Sequence, residues 1–297
     1  GIWESASRCA VRGDRKILHL TCGAFSERWA EVSQLNGKQV DVLAVEWGQA
    51  DRPETLAEAL RQSEYDAVAV VMNETSTGVR NPIEQYAEIL ADYPDTLFLV
   101  DVVSSYMGEK ILVDEWGIDV CLTSTQKAFA LPPGMALGAI SPAVLERARQ
   151  AENRGYYFDV IEIDRHHQKN NTPATPPIAL MYAADRQLDD ILSEGLDSRF
   201  ARHLHMQQMT HEWVRRAGFE LYSEDGYHSQ TVSNIRNTRN IDVAALNNAL
   251  KERGMMISNG YGKLKGQAFR IAHMGDTQPD HLEELFAAMD DFLAQAG

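Results

Sequence analysis

The stretch Asp119-Val120-Cys121-Leu122-Thr123-Ser124-Thr125-Gln126-Lys127-Ala128-Phe129-Ala130-Leu131-Pro132-Pro133-Gly134 runs from a short apolar strand into a loop that carries a lysine. Small polar residues precede Lys127 and an apolar Pro-Pro-Gly turn follows it, a poor setting for a solvated surface amine. A lysine held in a half-apolar pocket loses proton affinity and becomes a usable nucleophile, which Schiff-base chemistry with an aldehyde requires. Upstream, Leu97-Phe98-Leu99-Val100-Asp101 reads as a buried strand that ends on a carboxylate. Taken singly, a surface lysine and a capping or turn aspartate are the commoner readings. Their setting in the chain argues against both.

Working outward, Ile2 to Val11 reads as a helix, and Lys16-Ile17-Leu18-His19-Leu20 as a strand that leads to Thr21-Cys22-Gly23-Ala24-Phe25. A helix from Ser26 to Leu35 and a strand from Gln39 to Glu46 follow. Pro53 to Gln62 is expected to be a helix with Asp51 as its N-cap and Glu54 completing a capping box. Ala67 to Met72 is an unbroken apolar run rich in valine, a strand buried on both faces that opens into the polar loop Asn73-Glu74-Thr75-Ser76-Thr77-Gly78. A helix from Pro82 to Ala91 and strands at 96–100, 120–122 and 136–140 continue the alternation. Such a pattern implies an α/β fold with a mainly parallel sheet, whose ligands gather at the carboxyl ends of the strands. Phe25, Thr75, Asp101 and Lys127 all follow strands on that edge. An aspartate for a pyridinium nitrogen and a lysine for an aldehyde are the two groups that pyridoxal 5'-phosphate (PLP) needs most.

The stretch from Tyr156 to Asn171 is less regular, and the proline-rich link Asn171-Thr172-Pro173-Ala174-Thr175-Pro176-Pro177 marks a domain boundary. Residues 1–177 are thus expected to form a large domain and residues 178–297 a small α+β C-terminal domain. Long helices at 178–193 and 196–217 open the second part. His203, His205 and His211 lie on the second of them without a carboxylate-rich partner motif, so a solvated helix face is expected and no metal site. Short strands near 230–235, 255–258 and 268–272 alternate with helices at 243–253 and 278–295, as in a small antiparallel sheet.

With 297 residues, 44% hydrophobic and 24% charged, the chain is long enough for both domains. Its net charge of -15, without a run of basic residues, argues against a nucleic-acid partner. Three widely spaced cysteines indicate neither a disulfide framework nor a zinc knuckle, so a reducing cytoplasmic location is expected. No apolar run approaches the length of a membrane helix and no signal peptide is visible.

Asn73-Glu74-Thr75-Ser76-Thr77-Gly78, Val100-Asp101-Val102-Val103-Ser104-Ser105 and Ser124-Thr125-Gln126-Lys127, in this order, give a sequence that resembles the class V aminotransferases, PLP-dependent enzymes of fold type I. The resemblance extends through the C-terminal part and is strongest to the alanine-glyoxylate and serine-pyruvate group. It implies that Lys127 is the Schiff-base lysine and proton shuttle, and that Asp101 pairs with the pyridinium nitrogen. It implies further that Phe25 stacks on the cofactor, that Thr75 bonds near the ring's 3' oxygen and that Gln126 reaches the phosphate. Thr175 would be offered to the phosphate of a neighbouring subunit, hence a homodimer with shared active sites. Arg270, in Gln267-Ala268-Phe269-Arg270-Ile271-Ala272, would bind the substrate carboxylate. An arginine on an apolar strand independently calls for such a partner, an internal salt bridge being the alternative. The family's Ser-Gly-Thr-type phosphate turn falls immediately before Gly1, so the N-terminal part of the large domain is expected to lie upstream of this chain.

The implied reaction is transfer of an amino group from alanine or serine to a 2-oxo acid such as glyoxylate or pyruvate. Two alternatives stand beside it. A class V lyase of the cysteine desulfurase type would usually carry a histidine before the lysine, where this chain has Gln126, and a mobile catalytic cysteine. A non-catalytic protein could also be built on the same scaffold. Lys263 and Lys265 could serve a phosphorylated substrate, though a solvated loop is the simpler reading.

Overall fold

The chain opens, in a computed structural model that describes residues 1–296, with α1 (Ile2–Ala10), β1 (Lys16–Thr21), α2 (Ala24–Leu35) and β2 (Gln39–Ala44). These lead into α3 (Pro53–Gln62), β3 (Ala67–Val71) and a short ribbon of β4 (Asn73–Glu74) and β5 (Val79–Arg80). Then come α4 (Ile83–Leu90), β6 (Leu97–Asp101), β7 (Val120–Ser124) and β8 (Ala136–Ile140). The central sheet has the order β2-β1-β3-β6-β7-β8, with every pair parallel except β7 and β8.

Alternation within continuous apolar strands divides the core into two layers. Leu18, Leu20, Val68, Val70, Phe98 and Val100 pack against Leu56 and Leu60 of α3 and Tyr86 and Leu90 of α4. Ile17, Ala67, Ala69, Leu97 and Leu99 face the other way, onto Ala6 and Ala10 of α1 and Trp29 of α2. The small Ala67 and Ala69 lie on the face that receives the large indole. Register places Val71, Asp101 and Leu122 level with one another across β3, β6 and β7. The chemistry-bearing residues beyond them therefore emerge on one edge.

Helices α5 (Pro142–Gln150), α6 (Val160–His167), α7 (Ile178–Glu194) and α8 (Leu196–Arg216) follow. The last part comprises β9 (Glu220–Leu221), β10 (Val232–Arg236), α9 (Val243–Lys251), β11 (Ser258–Asn259), β12 (Ala268–Ala272) and α10 (Pro279–Ala296). Its antiparallel sheet, ordered β11-β12-β10-β9, shares a core of Trp213, Ile235, Leu246, Phe269, Phe286 and Met289 with α8, α9 and α10. Helix α7 turns the other way: its Ala184 and Ile191 pack on Phe129, in the Lys127 loop. Arg199 of α8, 2% exposed, donates to the carbonyls of Met107 and Ala128 and pairs with Glu194 and Asp276.

Four local expectations change. Residues 156–171 are not irregular throughout, because the Asp159 carboxylate accepts from the Ile161 amide at 3.0 Å and starts α6. The loop at 73–78 is a ribbon in which Asn73 pairs with Arg80 and Glu74 with Val79. Gly78 turns it at φ +74, and a Cβ there would lie 2.9 Å from the Asn234 amide. Histidine 203 is fully buried with its Nε2 unpartnered, so the solvated face expected at that position is a packed one.

Asp51 is the fourth. The cap position belongs to Arg52, with Pro53 opening the helix, so the aspartate stands one residue too early to reach the first-turn amides. Both of its carboxylate oxygens are buried without a partner. Burial pushes this carboxyl up to about 7 from its ordinary 3.8, with the nearby Glu74 adding to the rise. Folding therefore favours the protonated form, and this contribution to stability is lost as pH rises from the unfolded value through the folded one. The loss across that window is on the order of 4 kcal/mol. An Asp51→Asn variant is expected to gain on the parent as pH rises from 4.5 to 7.5, measured as urea midpoints; a constant difference between the two would contradict the titration.

Candidate active site

Asp101 ends β6 at 3% exposure. Its Oδ1 accepts from the Val103 amide at 2.8 Å and its Oδ2 from the indole Nε1 of Trp3 at 2.7 Å. Burial pushes the carboxyl up to about 7, while these two donors and the nearby Lys127 favour the charged form. Trp3 is held in turn by stacking on Trp29, with ring centroids 5.8 Å apart.

Lys127 sits half-buried in the loop after β7. Thr125 ties that loop down: its hydroxyl donates to the Pro132 carbonyl at 2.7 Å, and its own carbonyl accepts from the Leu131 amide. Burial lowers the proton affinity of the Lys127 amine and the positive charge of Arg270 lowers it further, against a smaller opposing pull from Asp101. More of it is neutral at a given pH than for an exposed lysine, as a nucleophile or a base needs.

Phe25 occupies the first turn of α2, positioned by Glu74. That fully buried carboxylate accepts from the amides of Phe25, Ser26 and Ser76 and from the hydroxyls of Ser26 and Ser76. A carboxylate at a helix N-terminus satisfies orphan amides and meets the positive end of the dipole. Gly23 is what permits the approach, since a Cβ there would lie 2.5 Å from Glu74 Cγ. The neighbouring Thr75 Oγ1 is 2.5 Å from the Ser104 hydroxyl.

One cavity of about 440 Å³ gathers Phe25, Thr75, Asp101, Gln126 and Lys127, with Trp3, Asn73, Val103, Ser104 and Ser124 among its other walls. Arg270, on β12, stands beside it: Nη1 is 3.4 Å from the Thr75 carbonyl and Nε donates to the Asn259 carbonyl at 3.2 Å. Among the described residues no acidic side chain pairs with this guanidinium and its Nη2 has no acceptor, so the internal salt bridge allowed by the sequence is not formed. Thr175 is exposed and is not brought to this cavity.

The donor set suits the PLP that the resemblance implies. Asn73 Oδ1 and Thr123 Oγ1, both on cavity-lining residues, are buried without a partner. A carboxylate at one end, an amine at another, an aromatic wall and hydroxyls between them meet the needs of a charged heteroaromatic aldehyde. Gly1 and Ile2, at the N-terminus of α1, also line the space, where a helix favours an anion. The three cysteines are buried and none lines the cavity, so the thiol of a desulfurase-type lyase has no counterpart there. Among the described residues no cluster of metal-ligating side chains occurs.

Trp3, Glu74 and Ser104 were hidden from sequence reasoning in different ways. Glu74 and Ser104 stand inside the quoted motifs, where their company was the available signal. Trp3 looks like any apolar residue on a helix face, because its acceptor lies 98 residues away.

Comparison with known proteins agrees with this geometry. The class-V aminotransferase family model matches residues 3–265. An L-aspartate–glyoxylate aminotransferase of Paracoccus denitrificans is 34% identical over 93% of this chain and 71% of its own length. A serine–glyoxylate aminotransferase of Arabidopsis thaliana is 32% identical over 100% of this chain and 76% of its own. Among solved structures, an alanine–glyoxylate aminotransferase from Nostoc sp. superposes with a TM-score of 0.91 at 27% identity, covering 98% of this chain and 78% of that one. The chain therefore belongs to the class-V aminotransferases, PLP-dependent transaminases with a mainly parallel central sheet.

Proposed function

We propose that this transaminase moves an amino group from a small amino acid, alanine or serine, to glyoxylate or pyruvate. The observation that carries the proposal is the meeting of Lys127 and Asp101 in one cavity beside the unpaired cation of Arg270. The relatives named for serine–glyoxylate and alanine–glyoxylate transfer support the same substrates, and the aspartate–glyoxylate relative supports the acceptor.

PLP, when bound, supplies an aldehyde and an electron-withdrawing ring. Asp101 is assigned to the ring nitrogen, where a carboxylate already held by Trp3 and Val103 keeps a proton in place. Lys127 would take the proton from the donor's α carbon and deliver it to the cofactor's aldehyde carbon, a role suited to an amine of lowered proton affinity. Phe25 provides a flat wall, and Thr75 a hydroxyl for the ring oxygen. Gln126 and the start of α1 serve the phosphate. Arg270 takes the carboxylate of donor and acceptor alike. Thr175, exposed on its proline-rich link, is assigned to a neighbouring subunit's phosphate in a homodimer. No described helix is long and apolar enough to cross a membrane, and a cytoplasmic location is proposed.

Replacing Lys127 with Ala is expected to abolish borohydride fixation of the cofactor and to cut amino transfer by about 10²–10⁴-fold. Normal turnover in that variant would end the assignment. Arg270→Ala is expected to lower kcat/KM by roughly 10–150-fold, the loss of one charge-assisted interaction, with cofactor affinity kept. Arg270→Lys should recover little, since an ammonium cannot reproduce the planar fork. Trp3→Phe keeps an aromatic ring but deletes the donor to Asp101. It is expected to weaken PLP binding, and more so at low pH, where the less supported carboxylate protonates first; equal weakening at all pH values would assign Trp3 a packing role only.

A further inference from the structure

We propose that Tyr261 is a specificity-determining residue of this site, its ring walling the space open to the substrate side chain so that short side chains are admitted and longer ones excluded. This rests on the reading of Arg270 as the carboxylate anchor. The Tyr261 ring lies 5.0 Å from that of Phe25, tilted by 33°, and 5.7 Å from the guanidinium carbon of Arg270. Phe25 is a wall of the cavity, and Arg270 is close enough to Lys127 to depress its proton affinity. A substrate with its carboxylate on Arg270 and its reacting carbon near Lys127 must place its side chain in the volume these rings border.

A wall selects by size only if it cannot step back, and the loop carrying Tyr261 is pinned on both sides. Asn259 Oδ1 accepts from the amides of Gly260 and Gly266 at 2.8 and 2.9 Å, closing the loop on itself. Leu264, 3% exposed, anchors it, and Gln267 donates to the Leu264 carbonyl at 3.0 Å. Gly260 lies so close beneath that turn that a Cβ would fall 2.0 Å from the Leu264 carbonyl oxygen. On the far side Lys263 Nζ stands 4.0 Å over the Trp47 ring, and Trp47 Nε1 donates to Glu27 of α2 at 2.7 Å. The loop thus spans from β12 to the helix that carries Phe25. Extra methylenes pressed against such a wall force it or the substrate out of its favoured geometry.

The test is a chain-length series in two readouts. Unreactive carboxylates (acetate, propionate, butyrate, hexanoate) are titrated calorimetrically against the holoenzyme and the cofactor-free protein. Alanine, 2-aminobutyrate, norvaline and norleucine are compared as donors. The parent is expected to bind and use the longer members progressively less well. Tyr261→Ala should shift the ratio of longest to shortest by about 10-fold or more in favour of the longest, in both readouts. Tyr261→Leu, which keeps an apolar anchor, should fall between, and Tyr261→Phe should match the parent. The same length profile in parent, Tyr261→Leu and Tyr261→Ala would overturn the proposal, as would a Tyr261→Phe profile matching that of Tyr261→Ala. Acetate binding unchanged by Arg270→Ala would instead overturn the carboxylate-anchor reading, a failure separate from that of the wall.

Discussion

A carboxylate buried at a strand end must be held by donors or give up its charge. Asp101 is held by the Val103 amide on one oxygen and the Trp3 indole on the other. Asp51 shows the alternative, burial with neither oxygen partnered. Burial pushes both carboxyls up to about 7, but their surroundings differ in kind. Asp51 sits among Asn81, Tyr86 and Cys22, where Glu74 opposes its charge more than the adjacent Arg52 favours it. Asp101 opens on a cavity across which Lys127 already favours its charged form. A further N–H arriving through that cavity completes its donor set, which is why the strand end reads as half of a binding site.

The other half depends on Glu74, which ties the β4 ribbon to the first turn of α2 and so fixes Phe25. From the same ribbon a second path of polar contacts runs inward. Arg80 pairs with the buried Glu109, and Asn73 donates to Glu109 at 2.7 Å and to the Thr231 hydroxyl at 3.3 Å. Thr231 donates to the Ser104 carbonyl, and the Ser104 hydroxyl meets Thr75. A threonine hydroxyl has one proton to donate. If Ser104 donates to Thr75, the Thr75 proton is free for a ring oxygen in the cavity. The web thus fixes the place of the Thr75 hydroxyl, and any member left unpaired by substitution would carry a desolvation cost of about 1–3 kcal/mol.

The parallel sheet was legible because β3 and β6 are apolar on both faces and give way to polar residues at their carboxyl ends, Asn73 and Asp101. Lys127 and Arg270 were legible for a related reason: each is a cation in apolar company, and such a residue needs an explanation. Trp3 was not, since an indole on an amphipathic helix announces burial and says nothing of where its N–H points. Asp51 misled because cap chemistry depends on one residue of register, and Pro53 moves the helix start past it. His203 misled because a histidine-bearing helix looks polar in one dimension, although at that position it is packed here over Gly108.

Lys127 and Arg270 also act on each other inside a chain whose net charge is -15. The abundant acidic residues do not neutralise them. Burial holds the proton affinity of Arg270 below its usual range, with only weak opposing help from Tyr261 and Glu74, and its charge in turn depresses Lys127. Two like charges left in a partly desolvated space repel, and an incoming carboxylate removes that repulsion by pairing with the arginine. Such a carboxylate also raises the proton affinity of Lys127, because the charge that depressed it is now compensated. Substrate binding and the readiness of the lysine to accept a proton are therefore linked through Arg270. The proton affinity of the amine is held down while Arg270 is unpaired and rises once the carboxylate has arrived.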